Sequence, residues 1–200
     1  MTVKVGNVKI PFDPKNVFNG AFKYLQTLSG TENICQNIIK ISVSSTIQGT
    51  VDIPVVRKDE DITYYWMSQS EKIGWYEVDF KNNRFYLESY VIRDHGRDFH
   101  TEWKILGSND GITYDVVDEV TNYQRPPEAY VNYNFTCKYP KARRYFKFYK
   151  DGSRFYGDQQ LSINRLEFFG KFVTAKPFCV SCKTNKRNIL FVFIIHLILC

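Results

Sequence analysis

Residues 103 to 117 read Trp-Lys-Ile-Leu-Gly-Ser-Asn-Asp-Gly-Ile-Thr-Tyr-Asp-Val-Val, and this stretch decides the fold class of the chain. Two runs rich in aromatic and aliphatic residues flank the triplet Asn109-Asp110-Gly111. Asn, Asp and Gly tolerate the positive φ that tight hairpin turns require. The stretch therefore predicts a β-hairpin whose first strand places Trp103 and Ile105 on one face and Lys104 on the other.

The whole chain favours strands over helices, because Tyr and Phe are strand formers and the 200 residues include 14 Tyr and 16 Phe. The sequence predicts eight strands, at about residues 38–44, 75–80, 86–92, 102–107, 114–119, 130–137, 144–150 and 161–170. One helix precedes them. Asp13-Pro14 predicts its N-cap and first helical position, apolar residues recur at helical spacing as far as Leu28, and Ser29-Gly30 ends it.

Segments on both sides of the hairpin carry a resemblance to a known family. They are Asn37–Ser45, Tyr65–Ser68 with Trp75–Phe80, the hairpin itself, Arg144–Phe148 and Leu161–Gly170. In this order they resemble the F5/8 type C (discoidin-like, galactose-binding-like) family. The resemblance implies an all-β fold, an eight-stranded antiparallel jelly-roll β-sandwich with a short N-terminal helix. It also implies a ligand-binding module rather than an enzyme.

This interpretation divides the chain into three parts. Residues 1–36 form an N-terminal helical extension packed on the sandwich, residues 37–170 form the sandwich, and residues 171–200 form a basic, then apolar tail. The apolar run Ile189–Cys200 would reach roughly 18 Å as a helix, well short of the roughly 30 Å hydrocarbon core of a membrane. It is a peripheral membrane contact, a segment that docks on a partner, or a gene-model artefact.

The alternating direction of the strands predicts which end of the sandwich binds a ligand. If the strands alternate in direction, the loops at about 45–64, 93–101, 120–129 and 151–160 gather at one end of the sandwich. In the family that the chain resembles, loops at this end bind the ligand, often a sugar or a lipid head group. The segment Arg93–His100 resembles the polar loop with which lectin members contact sugar hydroxyls. The candidate ligand-binding residues are Arg93, His95, Arg97, His100, Arg125, Arg154 and Tyr156.

A plainer interpretation of the same loop stays open, in which Asp94, Arg97 and Asp98 pair among themselves in solvent. We expect no metal and no cofactor. Many family members have an Asp-Gly pair feeding a calcium loop, and this chain has Val56–Asp61 there. Its three carboxylates follow Arg57-Lys58, and the missing glycine argues against a calcium cage.

The sequence argues against an enzyme, because it contains no Gly-x-Ser-x-Gly, P-loop, dinucleotide or His-Glu-x-x-His motif. Asp118 and Glu119 occupy neighbouring strand positions and so point to opposite faces. Cys179 and Cys182 have the spacing of half a zinc or redox site, but the second pair is missing. The five scattered cysteines do not indicate a disulfide framework.

The net charge of +6 lies mainly in the tail, since Lys171, Lys176, Lys183, Lys186 and Arg187 have no acid among them. A basic cluster at 138–154 could bind nucleic acid or anionic lipid. We favour instead a half-buried strand with Phe146 and Phe148 inward and Lys147 solvated, so nucleic acid is not an expected partner.

The segment Met1–Phe12 lacks the apolar region of a signal peptide, which predicts a cytoplasmic protein. The sequence thus predicts a non-catalytic module that binds a carbohydrate or other polar ligand through the loops at one end. Two alternatives remain. One is an intracellular protein–protein interaction module, and the other is a membrane-surface module with weak peripheral association through the tail.

Overall fold

The structure is a computed structural model that describes residues 4–35, 37–56, 62–95, 100–124, 128, 130–151 and 159–174. These residues contain two helices, α1 (Ala21–Ser29) and α2 (Ile53–Val56). They also contain eleven strands: β1 (Val8–Ile10), β2 (Lys40–Val43), β3 (Trp66–Met67), β4 (Ile73–Asp79), β5 (Arg84–Arg93), β6 (Trp103–Ser108), β7 (Asp115–Val120), β8 (Asn132–Arg143), β9 (Tyr145–Asp151), β10 (Ser162–Ile163) and β11 (Arg165–Val173).

Two antiparallel sheets make up the sandwich. One has five strands in the order β2-β4-β9-β6-β7, and the other has four in the order β1-β11-β5-β8. The short strands β3 and β10 pair with each other. All strand pairs in the described residues are antiparallel, which confirms the predicted alternation of direction.

Aromatic side chains fill the space between the two sheets. Phe146 on β9 packs against Phe168 on β11, with ring centroids 5.6 Å apart. Phe80, which follows β4, contacts both of these rings and also Phe85 and Phe172 on the opposite sheet. Aromatic pairs at such distances add to the stabilisation that burial alone provides. The alternation of inward and outward residues in each strand is what brings these rings together.

The predicted hairpin is confirmed as β6 and β7, joined by residues 109–114. The Ser108 hydroxyl accepts the backbone N–H groups of Asp110 and Gly111, and Gly111 has a φ of +75° that suits glycine. Trp103 and Ile105 point into the core, as expected. Lys104 lies on the other face and pairs with Glu119 at 2.9 Å.

Each of the eight predicted strands overlaps an observed one, but the edges of the sandwich differ. Strands β1 and β3 were not predicted, and the closing strand is interrupted at Asn164. Strand β11 also continues beyond Gly170 to Val173. Phe172, in this extension, is buried against Phe85 with ring centroids 4.9 Å apart. The bulge between Phe169 and Gly170 interrupts the alternation of inward and outward side chains, so the sequence pattern does not reach the end of the strand.

The predicted start of the helix at Asp13-Pro14 is wrong, because α1 begins at Ala21. The Asp13 carboxylate instead accepts the backbone N–H of Lys15 and the side-chain amide of Asn16, which makes a local turn. The predicted end is confirmed: α1 stops at Ser29, and Gly30 adopts the left-handed conformation with φ +66°.

The N-terminal segment packs on the sandwich through its helix and its strand. Strand β1 pairs with β11, and Phe12 meets Phe169 edge to face at 5.2 Å. On α1, Phe22 lies 5.2 Å from Phe168. Within the described part of the chain, neither helix has the length and apolarity needed to cross a membrane.

Candidate ligand-binding site

The strand register brings several loops to one end of the sandwich, called here the loop end. Arg93, the last residue of β5, lies opposite Asn132 at the start of β8 and Arg165 at the start of β11. In the other sheet, Val120 ends β7 opposite Trp103, the first residue of β6. Strand β9 also ends on this side, next to the start of β4. Connections between these strands therefore leave from the same end.

Three aromatic side chains from three loops meet at the loop end and form the tyrosine–histidine cluster, Tyr65, His95 and Tyr130. The His95 ring stacks on Tyr65 with centroids 3.4 Å apart and an interplanar angle of 13°. Tyr130 meets His95 edge to face, with ring centroids 5.6 Å apart. All three side chains are partly exposed. They come from the segments before β3, after β5 and before β8.

The backbone around this cluster is constrained. Tyr130 has a φ of +59° and Asn122, in the same connection between β7 and β8, has a φ of +53°. A bulky residue adopts this region only when the surrounding structure holds it there, and such residues concentrate at functional sites. The segment before β3 also exposes a second aromatic side chain, because Tyr64 is 49% exposed. The loop end therefore offers flat ring faces together with imidazole and phenol hydrogen-bonding groups.

Arg93 is buried at the end of β5 and is not the exposed loop residue that the sequence predicted, while its role in binding stays a prediction. Its side chain is 5% exposed, and its guanidinium lies 5.1 Å from the ring of Phe18. Its Nε donates a hydrogen bond to Asn164 Oδ1 at 2.5 Å. The Asn164 amide in turn donates to the carbonyl of Tyr64 at 2.6 Å. Arg93 is thus connected through Asn164 to the loop that carries Tyr64 and Tyr65.

His100 is also buried, with 2% of its surface exposed. Together with Asp94, Trp103 and Tyr133 it lines a cavity of about 10 Å³, room for a single water molecule. His100 is therefore enclosed by its neighbours, and its role in binding stays a prediction. Of the predicted site residues that the structure describes, only His95 reaches the surface.

Comparisons with known proteins agree with this architecture. No model of a protein family matches the chain, and no match was found among curated proteins. Among solved structures, a family 32 carbohydrate-binding module of NanJ from Clostridium perfringens, in complex with galactose, matches with a TM-score of 0.50 and 18% identity. The match covers 67% of this chain and 93% of that one.

Two further structures match similarly. CpGH89CBM32-5 from Clostridium perfringens, in complex with GalNAc-β-1,3-galactose, has a TM-score of 0.53 and 12% identity, over 66% of this chain and 94% of that one. The F-lectin (fucolectin) from striped bass serum has a TM-score of 0.52 and 14% identity, over 69% of this chain and 48% of that one. The chain has the discoidin-like fold. The predicted jelly-roll β-sandwich of galactose-binding-like type is confirmed.

Four predicted site residues of the discoidin-like sandwich, Arg97, Arg125, Arg154 and Tyr156, lie outside the residues that the structure describes. The same is true of Asp59, Glu60 and Asp61, where a calcium loop was considered, and of the tail after Thr174. Within the described ranges, no group of three or more His, Cys, Asp or Glu side chains could hold a metal ion.

Three described residues of the basic cluster, Arg144, Lys147 and Lys150, are engaged with acceptor groups of the sandwich. Arg144 donates two hydrogen bonds to the Asp79 carboxylate, at 2.7 and 2.9 Å. The prediction that Lys147 is an ordinary solvated residue is wrong, since its side chain is 18% exposed and lies 3.4 Å from Glu77. Lys150 is fully buried and donates to the carbonyl of Glu71 at 2.8 Å. These contacts occupy the three bases within the fold.

Two acids and two thiols of the discoidin-like sandwich are groups that could react, and their contacts and burial are structural. Asp118 is buried and accepts a hydrogen bond from the Tyr90 hydroxyl at 2.8 Å, whereas Glu119 points to the other face, as predicted. Burial raises the pKa of the Cys35 thiol to about 12, and burial also raises the pKa of Cys137. Both thiols stay protonated at neutral pH and are poor nucleophiles.

Sequence reasoning missed Tyr65 and Tyr130, which complete the cluster around His95. A signal for the first was present, because Tyr64, Tyr65 and Trp66 form an aromatic run at the end of the predicted loop 45–64. Tyr130 follows two prolines and has no distinguishing pattern of its own. Only the packing of three separate loops brings it next to His95.

Proposed function

We propose that this discoidin-like sandwich is a non-catalytic carbohydrate-binding module that binds its ligand at the loop end. The observation that carries the proposal is the tyrosine–histidine cluster, which combines stacked rings with polar edges on a partly exposed surface. Two of the similar structures contain galactose or a galactose-containing disaccharide, and this supports the class of ligand.

The chemistry of the cluster suits a sugar. One face of a pyranose presents C–H groups, which an aromatic ring covers, while the hydroxyls need donors and acceptors at the rim. The imidazole of His95 and the hydroxyls of Tyr65 and Tyr130 are groups of that kind. Such a small, partly open site supports only modest affinity, with a Kd of about 0.1 to 1 mM for a monosaccharide or disaccharide.

The arrangement also fits binding without turnover. Asp118 accepts a hydrogen bond from Tyr90, Glu119 pairs with Lys104, and burial raises the pKa of the Cys35 thiol, so these three groups have structural roles. We therefore expect the bound sugar to be released unchanged. Arg97, Arg125, Arg154 and Tyr156 remain predicted contributors to the same site.

Isothermal titration of the full chain with galactose and with GalNAc-β-1,3-galactose tests the proposal. Tyr65→Ala and His95→Ala should each weaken binding about tenfold or more, which corresponds to about 1.4 kcal/mol. Tyr139→Ala is the matched control, because Tyr139 is an exposed tyrosine on β8 outside the cluster. If neither sugar binds, or if the cluster variants bind as tightly as the parent, the proposal is wrong.

A further inference from the structure

The outward face of the five-stranded sheet is aromatic where a solvated sheet face is normally polar. On its three inner strands, the inward positions are buried and the positions between them point away from the core. The outward positions include Ile73, Trp75, Leu106, Tyr145 and Tyr149. Each of these side chains is at least partly exposed. A patch of this composition on a surface indicates an interaction site.

The strand register places two of these rings side by side, on the part of the face nearer the loop end. Trp75 on β4 lies directly opposite Tyr149 on β9. Tyr114, from the β6–β7 connection, approaches the same region, because Lys147 Nζ lies 4.5 Å from the Trp75 ring and 4.3 Å from the Tyr114 ring. Lys147 thus contacts both rings, which favours an arrangement of these side chains that is formed before a ligand binds.

The charges on the face are already neutralised within it. Lys147 lies 3.4 Å from Glu77, and the Tyr114 hydroxyl donates a hydrogen bond to the same carboxylate. On the neighbouring strands β6 and β7, Lys104 pairs with Glu119 at 2.9 Å. A charged partner such as nucleic acid or an anionic membrane would have to break these pairs. The face therefore favours an uncharged ligand.

The dimensions of the face favour a narrow ligand. The axes of β4, β9 and β6 span about 10 Å, and the stretch from Trp75 to Asp79 covers about 14 Å. The resulting area of roughly 140 Å² is well below the roughly 800 Å² that each partner contributes to a standard protein–protein interface. An extended chain molecule fits these limits better than a folded protein does.

We propose that this face is a second carbohydrate-binding surface, separate from the loop end, which takes a segment of an uncharged polysaccharide chain. The rings of Trp75 and Tyr149 cover the C–H faces of the sugars. Lys104, Lys147 and Glu77 stand beside these rings and exchange hydrogen bonds with the hydroxyls. The surface does not depend on the tyrosine–histidine cluster, which lies on different elements.

Affinity electrophoresis of the full chain in native gels tests this surface, with galactan and hydroxyethylcellulose as uncharged polysaccharides and alginate as an anionic one. We expect an uncharged polysaccharide to retard the protein, and the retardation to persist at about 0.5 M salt. Trp75→Ala and Tyr149→Ala should each lower the apparent affinity about tenfold, whereas Tyr139→Ala should not change it. Thermal melts of both variants check that the fold is retained.

The same gels separate this proposal from the loop-end site. Hydroxyethylcellulose makes the distinction because it contains no galactose. Tyr65→Ala should leave the retardation by hydroxyethylcellulose unchanged, and Tyr149→Ala should leave galactose binding in titration unchanged. Three results would each overturn the second surface: no retardation by hydroxyethylcellulose together with galactan retardation that only Tyr65→Ala abolishes, equal retardation of the parent and a folded Tyr149→Ala variant by hydroxyethylcellulose, or binding to alginate alone that disappears with salt.

Discussion

Glu167 caps helix α1 by accepting the backbone N–H of Phe22 at 2.9 Å, across 145 residues of sequence. Its second carboxylate oxygen accepts the N–H of Lys23 at 3.3 Å. Two backbone N–H groups in the first turn of the helix, which have no acceptor within the helix, therefore find one on β11. The carboxylate is fully buried, and this burial raises its pKa from an ordinary 4.5 to about 7. The helix is therefore attached to the sandwich through a group that titrates near neutral pH.

The pH dependence of stability should reveal this cap. Because the pKa of Glu167 is higher in the folded than in the unfolded chain, its contribution is fully present below pH 4.5 and is lost as pH rises through about 7. Glu167→Gln removes the titration. The difference in unfolding free energy between the parent and this variant should thus shift against the parent, by up to about 3 kcal/mol from pH 4.5 to 8. Urea titrations at several pH values measure it, and a constant difference would contradict the assignment.

The close approach of Glu167 to the start of the helix requires glycine at position 20. A Cβ added to Gly20 would lie 2.5 Å from Glu167 Cγ and 2.5 Å from the carbonyl oxygen of Phe168. Gly20→Ala should therefore destabilise the fold by about 1 to 3 kcal/mol. Gly6→Ala is a matched control, since a Cβ at Gly6 meets nothing within 4 Å. Equal melting temperatures of the two variants would show that the helix can shift without cost.

The two faces of β6 should respond very differently to mutation. Trp103 is buried between Phe135 and Phe148, and its indole N–H donates to the Tyr90 hydroxyl at 2.7 Å. Trp103→Ala should cost about 3 to 5 kcal/mol in denaturant titrations. Lys104→Ala loses a partly exposed ion pair and should change stability by about 0.5 kcal/mol or less. Similar losses at both positions would reject the assignment of faces.

Arg93→Ala should lower stability, contrary to the behaviour of an exposed loop charge. The substitution removes a buried donor to Asn164 and a guanidinium packed on Phe18, which together should cost about 1 to 3 kcal/mol. Lys40→Ala, at an exposed strand position, serves as the comparison and should have little effect. Thermal melts distinguish the two. An unchanged melting temperature for Arg93→Ala would mean that the buried arginine contributes nothing to the fold.

Truncation should locate the end of the domain at Thr174. Removing residues after Thr174 keeps Phe172 in the core and keeps the hydrogen bond from the Thr174 N–H to Asn7 Oδ1, at 2.9 Å. Removing residues after Lys171 deletes Phe172 and should cost about 3 to 5 kcal/mol. Calorimetry of both truncated chains measures the difference. Loss of the folding transition in the longer of the two would show that the tail stabilises the sandwich.

Local features of the sequence determined the strands and the hairpin of this protein. The alternation around Trp103, Lys104 and Ile105 and the turn chemistry of Asp110-Gly111 act within a few residues, and the structure follows them. The positive φ at Gly30 ended the helix where the sequence indicated. Such features constrain φ, ψ and the direction of each side chain, and these quantities depend on near neighbours in the chain.

Tertiary structure alone decided the start of the helix and the composition of the loop end. Glu167 caps α1 from a strand 145 residues away in sequence, whereas the local signal at Asp13-Pro14 forms only a turn. Arg93 and His100 have the residue types of a binding loop, but the packing of β11 and the neighbouring loops buries them. The tyrosine–histidine cluster joins three loops that are distant in sequence. No local pattern specifies such contacts, because they depend on which strands become neighbours in the completed sheets.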